Sequence, residues 1–147
     1  MEFLPRSYRS FRKMSEFIRG FREVAGEKGA RRNWSPAGYI DAWKSFVADC
    51  EEGYQWSIYE YENELEIRDV IDKVLTAPEL TAYPELATFA EAIADTDERF
   101  AALLRSGPSV LPETASWWNR NLPGQAGPHL VADAEAHYAV HLRPVEP

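Results

Sequence analysis

The chain has 147 residues, 45% of them hydrophobic and 13% aromatic, which is enough apolar material for one core and too much for a disordered chain. Its formal net charge of −8 is uneven: residues 1–33 hold nine Lys/Arg against four Asp/Glu, a balance of +5, and residues 34–147 hold seven against twenty, a balance of −13. That acidic majority repels phosphate backbones and disfavours nucleic-acid binding everywhere except through the first segment.

Residues 6–25 read as an amphipathic helix, with Phe11, Met14, Phe17, Ile18, Phe21 and Val24 on one broad face and most basic residues opposite. Arg6, Arg9, Arg12, Lys13 and Arg19 could rest on anionic lipid or nucleic acid, or imitate a transit peptide. The simpler expectation pairs them with the acidic remainder of the chain. Met14 is a second candidate start, which would make residues 1–13 a peripheral extension.

The next helix spans 36–52. Ser35 suits its cap, Pro36 its first position, and Trp34 with Tyr39 a hydrophobic staple. Tyr39, Ile40, Trp43, Phe46, Val47 and Cys50 form its apolar stripe, and Gly53 ends it in a left-handed conformation.

The stretch YEYENELEI, residues 59–67, alternates large and acidic side chains as a strand would. Its flanks decide otherwise. Ser57 and Glu60 stand in capping-box relation, Trp56 and Tyr61 in staple relation, and Ile67, Val70, Ile71 and Val74 follow at helical spacing. The expected helix, 58–75, places Ile58, Tyr61 and Leu65 on a different face from Ile67, Val70, Ile71 and Val74, so it touches neighbours on two sides. Only GYQW separates it from the preceding helix, which implies an antiparallel hairpin with Trp34, Trp43, Tyr54 and Trp56 near its ends.

Pro84 opens a long helix whose Leu86, Phe89, Ala90, Ile93, Phe100, Leu103 and Leu104 recur at three and four, with a bend expected at Asp95–Glu98 and a stop at Gly107-Pro108. Shorter helices follow near 113–121 and 129–140, parted by LPGQAGP. The expected fold is therefore all-α: one domain over 1–147, a compact bundle of five or six helices around the central antiparallel hairpin 36–52 and 58–75.

The single cysteine, Cys50, excludes an internal disulfide and fits a reducing, cytoplasmic setting. No apolar run reaches the roughly 18 residues of a membrane span, and no signal-peptide core precedes Arg6.

Four constellations could carry chemistry. Glu60, Glu62, Glu64, Glu66 and Asp69, with Arg68 among them, read first as a solvated face with local ion pairs, next as an acidic docking surface for a basic partner, and last as a catalytic or metal-binding cluster. Trp117, Trp118 and Arg120 in SWWNRNLPG could build a cation-aromatic platform, although tryptophan more often packs in a core. His129, Asp133, His137 and His141 recur every fourth residue, but a drift of about 40° per step keeps the four from one ion. A solvated polar face is the expectation there, with no metal. The fourth is the basic first helix. Asn63, a poor helix former, is expected to be buried with Arg68 in an interhelical connection.

No Walker loop, G-x-S-x-G, G-x-G-x-x-G, H-E-x-x-H or CxxC occurs. The sequence favours a non-enzymatic acidic helical protein that binds a basic protein partner, a toxin-neutralising immunity or antitoxin protein being one instance, with no cofactor and no nucleic acid. The alternative is a small-molecule-binding or enzymatic helical domain with a pocket near Trp117/Trp118, anchored by Arg68, Arg120 or His129.

Overall fold

Two serine caps begin the central hairpin. The computed structural model describes the backbone of residues 6–27 and 31–146, and side chains from residue 16 onward within those ranges. Ser35 accepts the Gly38 amide at 3.3 Å and starts α2, Pro36–Glu52. Ser57 accepts the Glu60 amide at 3.2 Å while Glu60 reaches back to the Ser57 amide, and this capping box starts α3, Ile58–Leu75. The alternating stretch 59–67 is helical throughout. A third cap comes from far along the chain: the Asp133 carboxylate accepts the Ile58 amide at 2.9 Å. Each cap satisfies a donor that helix geometry leaves over. Gly53 ends α2 at φ +103°, and a Cβ there would come within 2.9 Å of Val145. Only glycine meets both constraints without strain.

The remaining helices are α1, Arg6–Ala25; α4, Pro84–Arg105; α5, Trp117–Arg120; and α6, Pro128–Tyr138, with a 3₁₀ turn at Pro78–Leu80. The fold is all-α, and no helix among the described residues is long and apolar enough to cross a membrane. Extended structure among those residues amounts to a two-residue parallel pair, β1, Gln125–Ala126, with β2, Arg143–Pro144, and one bridge, Ser109 with Asn121. The pair ties the last segment down: the Arg143 amide donates to Gly124 at 2.9 Å, and Leu142 is buried.

α2 packs most extensively on α4, and α3 lies against both α1 and α2. As the two-sided spacing requires, Ile58, Tyr61 and Leu65 on one face of α3 and Ile67, Val70, Ile71 and Val74 on another are all buried. Trp43, Phe46, Tyr54, Tyr61 and Phe100 form a continuous aromatic contact set at centroid separations of 5.1–5.7 Å. Each such ring stabilises the fold by roughly 1.5–3 kcal/mol relative to exposure. Phe21 of α1 joins this core through Tyr39 and Phe89.

Several expectations need correction. The helix expected over 113–121 is limited to Trp117–Arg120, because Val110 and Leu111 donate backbone bonds to Arg120 and Leu122 donates to Pro108, folding the segment into a closed loop. The last helix ends at Tyr138, where Ala139 takes a left-handed φ of +54°. α4 is helical throughout Asp95–Glu98, where Thr96 is buried and Asp97 bonds inward; this leaves the expected bend untested. Trp34 meets Tyr39 as a staple at 5.2 Å, but Trp56 packs on Tyr54 and stays 45% exposed, because Tyr61 is drawn into the core. Asn63 is exposed, so Arg68 makes the interhelical connection without it. Residues 1–5, and the side chains of Arg6, Arg9, Phe11, Arg12, Lys13 and Met14, lie outside the described residues.

Candidate functional site

Helix geometry divides the five acids of α3 into two rows. Glu62, Glu66 and Asp69 are spaced by four and three residues and share a face, whereas Glu60 and Glu64 project from the other side of the cylinder. The second row is committed internally. Glu60 completes the capping box, and Glu64 accepts the Tyr54 hydroxyl. Burial first, and then that bond, raise the Tyr54 pKa, so the phenol keeps its proton.

The first row borders a groove of about 230 Å³ between α3 and the 107–122 loop. Glu62, Glu66 and Asp69 form its charged side, and Val110, Leu111 and Leu122 supply apolar surface; Leu111 is 41% exposed in a Pro-rich turn. The loop is held by its own bonds. Asn121 donates to the carbonyls of Leu104 and Gly107 at 3.1 Å each, and Gly107 lies so close to Leu122 that a Cβ would fall 1.7 Å from its carbonyl oxygen.

Each acid of the row has one contact already. Tyr138 donates to Glu62 at 3.0 Å, Trp118 Nε1 donates to Asp69 at 2.8 Å, and Arg31 lies 3.7 Å from Glu66. Every carboxylate retains further acceptor positions. Among the described residues, no Lys, Arg or His lines the groove. Tyr61 does line it, only 1% exposed, and its hydroxyl has no hydrogen-bond partner among the described residues. Burial, followed by the neighbouring Cys50, Tyr54, Tyr138 and Glu62, pushes its pKa well above the ordinary tyrosine value.

The Arg68 site is a buried polar cluster in which Nη1 alone of the guanidinium nitrogens lacks a hydrogen bond among the described residues. Its Nε and Nη2 donate to the two Asp97 oxygens at 2.9 Å each, Asp72 stands 3.9 Å from Nη1, and the guanidinium lies 4.4 Å from the Trp118 ring and 5.8 Å from Trp117. Trp43 donates to the same Asp97 oxygen as Arg68 Nε, at 3.0 Å. Arg68 is 5% exposed. The cation over the two tryptophans is therefore Arg68, not the expected Arg120.

Arg120 and His129 do not join this platform. Arg120 donates to the Ala115 carbonyl at 2.7 Å, and exposed His129 sits 3.6 Å from Asp133 on α6. Asp133 serves as the distant cap on α3, His137 packs on Tyr59 at 5.4 Å, and His141 lies beyond the helix end beside Glu135 at 3.1 Å. Among the described residues, no group of three His, Cys, Asp or Glu is placed to hold a metal ion. Cys50 is fully buried, and burial, with Asp49, Glu64 and Glu51, pushes its thiol pKa well up. A protonated thiol is a poor nucleophile.

Sequence reasoning missed Asp97, Leu111, Leu122 and Tyr138. For Asp97 a signal exists: it falls between Ile93 and Phe100 on the apolar stripe of α4, where a carboxylate requires an inward partner. The others come from remote segments whose approach no local pattern encodes. Compared with protein-family models, with curated proteins and with solved structures, the chain matches none of them.

Proposed function

We propose that this chain is a non-enzymatic interaction protein whose acidic α3 face binds a basic protein, with a toxin-neutralising immunity or antitoxin protein as one concrete instance. The observation that carries this reading is the row Glu62, Glu66 and Asp69 beside exposed Leu111, in a groove that no basic side chain lines among the described residues. Carboxylates next to apolar surface, with Arg31 as a single basic neighbour at Glu66, suit a basic interface: the charge accelerates encounter, and the apolar wall adds contact area. The formal net charge of −8 extends that attraction beyond the groove.

The metabolite-binding alternative has less support. Small-molecule sites commonly enclose roughly 300–1,000 Å³; the α3 groove, at about 230 Å³, is smaller, and neither Trp117 nor Trp118 lines it. The aromatic platform that would hold a ligand ring or anion is filled by Arg68.

The test is affinity capture from an extract of the source cells, using the wild-type chain and a Glu62→Lys/Glu66→Lys variant at about 0.1 M and about 1 M salt, where the Debye length falls from roughly 10 to 3 Å. A basic protein held by the wild type at low salt, and lost on charge reversal or at high salt, is the expected result. Capture indifferent to both changes overturns the reading. For the immunity instance, co-expression should protect cells from the captured protein's toxicity.

A further inference from the structure

With the acidic interaction reading as premise, we propose that the groove between α3 and the 107–122 loop is a socket for one arginine side chain presented by the basic partner. The groove joins two features that this side chain needs. An arginine has an apolar stem that lies comfortably on Val110, Leu111 and Leu122. At its end is a planar fork of five donors that can reach more than one carboxylate. Glu62 and Glu66 are one helical turn apart, a rise of about 6 Å, and Asp69 extends the row on the same face.

A second observation points to an occupant independently of the acids. Tyr61 is almost completely buried where it lines the groove, and its hydroxyl makes no hydrogen bond among the described residues. Such an orphaned group costs stability unless something arrives to use it. A phenolic oxygen can accept from an N–H donor. The existing contacts leave room for this: Tyr138 uses one Glu62 oxygen, Trp118 uses one Asp69 oxygen, and Arg31 stands 3.7 Å from one Glu66 oxygen, so the second oxygen of each acid stays open.

Size and chemistry narrow the occupant. About 230 Å³ accommodates a single long side chain better than a helix face or a cofactor. Lysine is a compact, strongly hydrated point charge, whereas arginine desolvates more readily and pairs in a bidentate manner. Arginine is also a favoured energetic anchor at interfaces. The socket therefore commits to a guanidinium from a protein partner.

The test is an amide chemical-shift titration of the isotope-labelled chain with acetyl-arginine amide, with acetyl-citrulline amide as the neutral isostere. The expected result is saturable shifts confined to Glu62, Glu66, Asp69, Leu111 and Leu122, with the citrulline probe weaker by about tenfold or more. Equal response to both probes, or shifts spread over every acidic patch including Glu52 and Glu146, overturns the socket. Leu111→Ser keeps every charge and alters an exposed side chain, so the fold should persist. The socket requires this variant to lose the confined shifts. If Leu111→Ser captures a basic partner with unchanged affinity, the socket falls and the acidic interaction reading stands; if no basic partner is captured by the wild type, that reading falls and takes the socket with it.

Discussion

Arg68 on α3 and Asp97 on α4 meet through two parallel N–H···O bonds of 2.9 Å, and Trp43 of α2 donates to one of the same Asp97 oxygens. One carboxylate thereby ties three helices together. Asp97→Ala leaves a buried guanidinium and an indole N–H without their partner, which should cost roughly 3–5 kcal/mol. Replacing both members with apolar residues, as in Arg68→Met/Asp97→Leu, removes the uncompensated charge and should recover most of that loss. Urea unfolding of the two singles and the double measures the coupling; a double variant as unstable as the summed singles would refute it.

The α3 N-terminus has two caps that serve different donors. Ser57 accepts the Glu60 amide, and Asp133 accepts the Ile58 amide. Ser57→Ala and Asp133→Ala should each destabilise by about 1 kcal/mol, and the double variant by about 2 kcal/mol. Thermal unfolding checks the sum. An unchanged melting temperature for Asp133→Ala would mean that the long-range cap contributes nothing.

Two glycines should respond in opposite directions to alanine. At Gly107 a Cβ would fall 1.7 Å from the Leu122 carbonyl oxygen, so the loop must move. Gly107→Ala should destabilise by about 1–3 kcal/mol, as overpacking does, and weaken partner capture because the groove wall shifts. At Gly38, in the first turn of α2, the nearest atom to a Cβ is on Trp34 at 3.6 Å, an ordinary contact. Gly38→Ala should stabilise by roughly 0.5–1 kcal/mol. Denaturant midpoints of the two variants provide the comparison.

Alkaline stability should depend on Tyr39. Its buried hydroxyl has no hydrogen-bond partner among the described residues, and burial, then Glu27, push its pKa up to about 12. The unfolded chain ionises the same phenol near pH 10 and sheds that proton first. Its stabilising contribution is therefore full below about pH 10 and is lost as pH rises from about 10 to about 12. Tyr39→Phe removes this contribution to the alkaline loss, and at neutral pH it should be no less stable than the wild type because an unsatisfied group is gone. Denaturant midpoints across that window test both statements.

The helical plan was legible because its signals are local. Ser35-Pro36, Ser57 with Glu60, Pro84 and Gly53 each govern backbone dihedrals or amide donors within one turn, and the three-and-four spacing of α2, α3 and α4 states which faces must be buried. The helical fate of YEYENELEI, and the two-sided burial of α3, follow from those signals alone. The site was legible only in part. The sequence named Glu62, Glu66 and Asp69, but helix rotation and the partners available separate them from Glu60 and Glu64. Leu111, Leu122 and Tyr138 reach the groove through loop closure and α6 docking, which are long-range events that depend on how all the buried faces pack at once. The same holds for Arg68. Its charge and position were visible in the chain, but the positions of Asp97 and the two indoles, which close it off from solvent, exist only once α3, α4 and α5 have come together.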